Sequence, residues 1–240
     1  MNKNIVLNDL NRICFFDIET VGQQIKVEDN EIVREFLAKK NKMAVEELTD
    51  ENVIEKGGLY AETGKVICIS CGIFTNETFY LKSFYGDDEK DILTRFVNML
   101  EGDNFAFKYT LCGHNIEDFD IKFLAKRCII HGIKLPLVMN IMTKKEWDYN
   151  FIDTMKLWAF GDSYNGRVSL KVLCDIFDIP SPKEDIDGSQ VAKLYYQLTD
   201  HEEHMKRIVT YCQNDVVATT RVFQKITQNG YLEDERIIIR

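Results

Sequence analysis

Arg12-Ile13-Cys14-Phe15-Phe16-Asp17-Ile18-Glu19-Thr20 sets two acids into an otherwise apolar stretch. Strand side chains alternate between faces, so Asp17 and Glu19 point the same way, in line with Ile13 and Phe15. Cys14, Phe16 and Ile18 line the opposite face, which makes this a strand buried on both sides. Two like charges 4 Å apart repel by roughly 1 kcal/mol in water and about 4 kcal/mol at an intermediate dielectric. Something must offset that repulsion, and a divalent cation is the candidate.

Outward from this strand, residues 24–63 form a highly charged stretch. Within it Ile32, Val33, Phe36 and Leu37 recur at helical spacing, and a second short helix is expected near Ala44 to Leu48. Gly57-Gly58 and Gly64 punctuate a return to strand. Val66 to Phe74 and Thr78 to Phe84 read as a hairpin around Thr75-Asn76-Glu77, followed by an amphipathic helix from Asp88 to about Leu100. A strand over Phe105 to Leu111, a Gly113-His114-Asn115 turn and a helix to Ile130 come next. Short strand Phe151 to Asp153 precedes helices near Leu170–Phe177, Ser189–Leu198 and His201–Thr227. Strands interleaved with helices, then helices alone, predict one α/β domain over residues 1–240, with a 24–63 insertion and a 231–240 tail.

The chain of 240 residues carries a net charge of −9. A broad nonspecific grip on duplex nucleic acid needs a basic surface, so that class is excluded, whereas a grip on a few terminal nucleotides at a metal-bearing acidic site is not. No apolar run approaches the roughly 20 residues of a membrane helix, and the polar N-terminus lacks a signal-peptide apolar region. A soluble, cytoplasmic protein without a membrane partner is therefore expected. Seven cysteines, most inside apolar segments, fit a reducing compartment. Cys68 and Cys71 have CxxC spacing but lie in a strand-like run with no second pair, and His201 and His204 read as surface residues.

Two further places carry carboxylates in suggestive settings. Asn115 has N-cap chemistry, with Asp118 three residues on as its capping-box partner. Asp120 has no capping duty and sits near the C-terminal end of the preceding strand, where α/β folds place their sites. On the last helix, i, i+4 spacing puts Tyr211 and Asp215 on one face, bordering an apolar stripe through Met205, Ile208, Val209, Cys212, Val216, Val222, Phe223 and Ile226.

Asp17 and Glu19 on a strand, Asp120 after Asn-x-x-x-Phe, and Asp215 four after Tyr211 resemble, in order, the three motifs of the DEDD exonucleases. The chain is similar to the DEDDy branch, and within it to stand-alone 3′–5′ exonucleases related to the proofreading domain of family B DNA polymerases. The resemblance spans roughly Arg12 to Thr227. It implies a ribonuclease-H-like mixed sheet of about five strands flanked by helices. It also implies two divalent cations, Mg²⁺ or Mn²⁺, held by Asp17, Glu19, Asp120 and Asp215. Asp17 would bridge, Glu19 and Asp215 complete the first ion's shell, and Asp120 serve the second. Such hard cations suit four oxygen donors. Tyr211 would orient the attacking water, its phenol being too weak an acid near pKa 10 to serve as a free base.

The reaction implied is release of nucleoside 5′-monophosphates from single-stranded DNA 3′ ends, in DNA repair or replication. Thr20, Asn115 and Phe119 fall on the substrate side, Phe119 packing beneath the motif. Trp158 and Tyr164 are candidates for base stacking, and Arg167 and Lys171 for phosphate contact. The alternatives are a 3′–5′ exoribonuclease and an inactive nucleic-acid-binding module on the same fold. Turn and cap roles suffice for Asp153, Asp185 and Asp187.

Overall fold

The computed structural model describes residues 8–24, 30–42, 44–102, 105–145, 148–162, 166–180 and 186–240. The strands are β1 (Ile13–Gly22), β2 (Gly64–Thr75), β3 (Thr78–Tyr85), β4 (Thr110–Gly113), β5 (Phe151–Asp153) and β6 (Ile237–Ile239). They form one mixed sheet in the order β5-β4-β1-β2-β3-β6. Strand β2 pairs antiparallel with β1 and β3, while β4 and β6 join as parallel neighbours of β1 and β3, and β5 of β4. Only β2 therefore runs against the rest.

Helices α1 (Glu31–Asn41) and α2 (Asp50–Gly57) lie in the charged insertion, with a 3₁₀ turn at Val45–Glu47 between them. Then come α3 (Glu89–Glu101), α4 (Phe105–Lys108), α5 (Asp120–Ile130), α6 (Thr154–Ala159), α7 (Leu170–Ile176), α8 (Val191–Tyr195) and α9 (His201–Thr227). On one face of β1, Cys14, Phe16 and Ile18 pack with Ile92, Leu93 and Phe96 of α3 and Ile121 and Leu124 of α5. On the other, Ile13 and Phe15 meet Val216 and Phe223 of α9, with the Phe15 and Phe223 rings 5.5 Å apart edge to face. The central strand is buried on both sides, as its composition requires. Side-chain alternation along β2 sends Cys68 to the α9 side and Cys71, three residues on, to the α3 side, so the CxxC pair cannot share an ion.

Three elements differ from expectation. Phe105–Lys108 is helical rather than strand: the Tyr109 N–H donates to the Phe105 carbonyl at 2.8 Å and the two rings tilt together at 4.9 Å, so β4 begins only at Thr110. Helix α5 starts at Asp120, with Phe119 at its N-cap, and Asn115 is no cap but a left-handed turn residue at φ 62°. The reason is Asp153, which caps α6 through the Met155 amide and also accepts the Asn115 and Glu117 amides at 3.0 and 3.2 Å. The sheet also has six strands, because the tail adds β6 beside β3 and the Arg221 guanidinium donates to the Leu232 carbonyl at 2.9 Å.

The insertion packs around Leu37, Ala38, Leu48 and Val53 and is tied to the far end of β1. Thr20 donates its hydroxyl to the Gly58 carbonyl at 2.7 Å, and Gln23 its amide to Gly64 at 3.1 Å. Among the described residues no helix is long and apolar enough to cross a membrane.

Candidate metal centre

Asp17 and Glu19 lie on the α9 side of β1. Beside Glu19 the ladder with β2 shifts: Glu19 faces Cys68 but Thr20 faces Val66, leaving Ile67 as the extra residue of a β-bulge. Bulges bend a strand and re-aim its side chains. The two carboxylates and the Cys212 thiol all lie within 4.8 Å of one another. Glu19 is 8 % exposed. Burial of neighbouring carboxylates disfavours their ionised forms, and a cation held between them would offset that cost.

Helix α5 brings Asp120 and helix α9 brings Asp215 to the same place. The Asp17 carboxyl is pushed well up, by burial first and then by the charges of Asp215, Asp120 and Glu19. Glu19 is pushed well up by burial, Asp215, Cys68 and Asp120. Carboxylates that raise one another this way share one electrostatic site. Asp120 rises to about 7 through burial and the charge of Asp153, against the pull of its own amide and that of Ile18. The charges of Asp120 and Asp215 thus act on the Asp17–Glu19 pair, while the ligand atoms found within 4.8 Å of one another among the described residues are those of Asp17, Glu19 and Cys212.

Burial of Asp120 has a measurable signature. Its proton is bound more tightly in the folded protein than in the unfolded chain, the reverse of an ordinary paired carboxylate. Its contribution to stability is therefore present below its ordinary value of 3.8 and is lost as pH rises towards about 7. In chelator, wild-type stability relative to Asp120→Asn is expected to fall by up to roughly 4 kcal/mol across that interval. Urea unfolding at stepped pH measures the difference, and a difference independent of pH contradicts the burial of this acid.

Tyr211 lies one helical turn before Asp215, both half-buried at the edge of the α9 stripe. A Cβ on Gly188 would stand 3.6 Å from the Tyr211 hydroxyl, which places that hydroxyl against the 186–190 turn. Phe119 packs against Phe123 at 5.5 Å. Asn115 lines a neighbouring cleft, while the Thr20 hydroxyl is turned to the insertion. Asp153 and Asp187 have cap and turn roles, Asp187 holding the Ser189 amide at 2.9 Å. Tyr164 and Asp185 lie outside the described residues.

Two expectations need correction and one residue was missed. His201 pairs with Asp87 at 3.0 Å on the surface, but His204 is buried, because it lies one turn before Ile208 on the packed stripe. Trp158 packs edge to face on Phe177 at 5.4 Å, so it is not free to stack on a base. The missed residue is Cys212, whose thiol donates to the Asp17 backbone carbonyl at 3.5 Å and to its carboxylate at 3.7 Å. Burial, the Cys68 thiol and the charges of Asp17 and Glu19 push the Cys212 thiol well up, which keeps it a donor. Its position three residues before Asp215 was the only local signal.

A family model of the RNase_H superfamily matches residues 54–227, well over half of the chain and including Asp120, Tyr211 and Asp215. No curated protein matches the sequence. Among solved structures, the family B DNA polymerase from the hyperthermophilic archaeon Pyrobaculum calidifontis is similar at 12 % identity and a TM-score of 0.49. That alignment covers 90 % of this chain and 27 % of the polymerase, so the chain spans about a quarter of the polymerase's length.

Proposed function

The chain belongs to the RNase_H superfamily, its six-stranded mixed sheet flanked by helices being an RNase H-like fold, and we propose that it is a metal-dependent 3′–5′ exonuclease of the DEDDy type. Its substrate would be a single-stranded DNA 3′ end, and its product a nucleoside 5′-monophosphate. The observation that carries this reading is the convergence of Asp17, Glu19, Asp120 and Asp215, with Tyr211 one turn before Asp215. Residues 1–240 would act as one catalytic domain, decorated by the 24–63 insertion and braced by the 231–240 tail. Seven free, buried cysteines support a reducing compartment such as the cytoplasm, and DNA repair or replication is the matching role.

Four carboxylates suit Mg²⁺ or Mn²⁺, and a bound pair would lower the pKa of water and stabilise charge on the phosphodiester. Asp17, Glu19, Asp120 and Asp215 would hold the ions. The bulge at Glu19 and the rigid strand hold the first half in place, and Cys212 fixes the Asp17 side chain. The Tyr211 hydroxyl would orient the attacking water. Tyr211→Phe is expected to slow cleavage by roughly a hundredfold, the low end of what positioned proton-transfer groups contribute.

The test offers 5′-labelled single-stranded DNA and RNA with Mg²⁺, Mn²⁺ or chelator. A descending ladder on DNA that requires metal is the expected result. Internal cuts on a circular strand would overturn the exonuclease assignment, and a ladder confined to RNA would overturn the DNA assignment.

A further inference from the structure

A cleft of about 330 Å³ runs between α6 and the chain around Arg167. Asn115, Asp118, Met155, Lys156, Asp162 and Arg167 are among its walls. Three cations converge on Asp118 here: Lys122 at 2.9 Å, Arg167 at 3.0 Å and Lys156 at 4.0 Å, the last also holding Glu117 at 2.8 Å. Lys156 and Arg167 are 40 % and 70 % exposed. The Arg167–Asp118 pair is the exposed one, worth about 0–1 kcal/mol, so Arg167 can exchange its carboxylate for a phosphate at little cost, whereas Lys156 is held by the buried Glu117 and would meet a phosphate while keeping that partner.

Phe160 lies in sequence between the lining residues Ala159 and Gly161 and is not itself a wall of the cleft. It caps the C-terminal end of α6 at φ 47° and ψ 34°, in the left-handed region. For a bulky side chain that conformation costs about 1–2 kcal/mol. Its ring is nonetheless 89 % exposed, so packing returns nothing for the strain. Trp158, two residues earlier, is the aromatic that packs inward. An exposed ring, two exposed cations and a cleft that has Asp118, two residues before Asp120, in its wall are the parts of a single-strand binding surface, where bases stack on aromatics and cations track the backbone.

We propose that this cleft is a subsite for single-stranded nucleic acid, in which Phe160 stacks on a base and Lys156 and Arg167 take the adjoining phosphodiester; it rests on the nuclease reading above.

Binding of a fluorescent oligothymidylate, followed by anisotropy in the full-length Asp17→Asn protein so that nothing is cleaved, tests the proposal. Phe160→Ala is expected to weaken binding by about 5- to 100-fold, the worth of one stacked base, and Phe160→Trp to retain it. One abasic position in the oligonucleotide should reproduce the loss and add nothing to Phe160→Ala. Lys156→Ala and Arg167→Ala should each reduce the slope of log affinity against log salt by about 0.7. Affinity unchanged within twofold in Phe160→Ala, as for a ring that docks a protein chain, overturns the proposal, as does a loss that no abasic position mirrors. If the parent binds and wild type cleaves while Phe160→Ala changes nothing, the subsite alone fails. If no oligonucleotide binds at all, both readings fail.

Discussion

Asp17→Asn is expected to lower cleavage of single-stranded DNA by at least about a thousandfold while leaving the protein as stable as before, or more so. The substitution keeps the shape of the side chain and removes one negative charge from a cluster in which Asp215, Asp120 and Glu19 all raise its pKa. Loss of several kcal/mol of transition-state charge stabilisation corresponds to that rate loss at 1.36 kcal/mol per factor of ten. Relief of like-charge repulsion works the other way on folding. The pairing of lost activity with retained or raised melting temperature separates a ligand from a packing residue. Asp215→Asn should behave alike, and activity within tenfold of wild type in either variant would refute the shared site.

Glu89→Ala is expected to destabilise the protein by about 3–5 kcal/mol, the usual consequence of stranding one member of a buried ion pair. Glu89 and Arg127 are both buried, at 5 % and 3 % exposure. The Glu89 carboxylate accepts from the Val66 amide at 2.7 Å, the Arg127 Nε at 2.8 Å and the His131 ring at 2.7 Å. Arg127 also donates to the Ala61 carbonyl at 2.9 Å, so one network joins β2, α3, α5 and the chain that leaves the insertion.

Burial would push the Glu89 carboxyl up, but its bonds to Arg127, Val66 and His131 outweigh burial and hold it below the usual carboxylate range. The stabilisation is therefore complete above the unfolded value of 4.5 and is lost as pH falls through the lower folded value. Urea unfolding at neutral pH measures the loss. A cost below 1 kcal/mol would contradict the network, whereas Glu89→Leu combined with Arg127→Met should recover much of it. Because α5 carries Asp120, the single variant should also weaken metal binding.

The faces that pairs of the candidate acids share are legible in the sequence because their elements impose simple periods, whereas their grouping with Asp120 rests on the resemblance to the DEDDy exonucleases. Asp17 and Glu19 share a face by strand alternation, and Tyr211 and Asp215 share one by helical spacing. The apolar alternation around them also foretells a strand buried on both sides and the long α9. The features that are not legible depend on partners distant in sequence. Asn115 has the chemistry of an N-cap, but Asp153, 38 residues on, takes its amide and delays the helix to Asp120. Nothing in Trp158-Ala159-Phe160 tells which ring packs; Phe177 decides it. Glu89 and Arg127, also 38 residues apart, carry no local mark of their pairing. The alternation of aromatics from Phe105 reads as strand, yet local i, i+4 bonding closes a helical turn there.

An anomalous difference map from crystals grown with Mn²⁺ is the most direct measurement of whether β1, α5 and α9 build one cation site. Peaks bounded by the carboxylates of Asp17, Glu19, Asp120 and Asp215 are the predicted result. A map without a peak among those four side chains, or with Mn²⁺ bound only elsewhere, would contradict it.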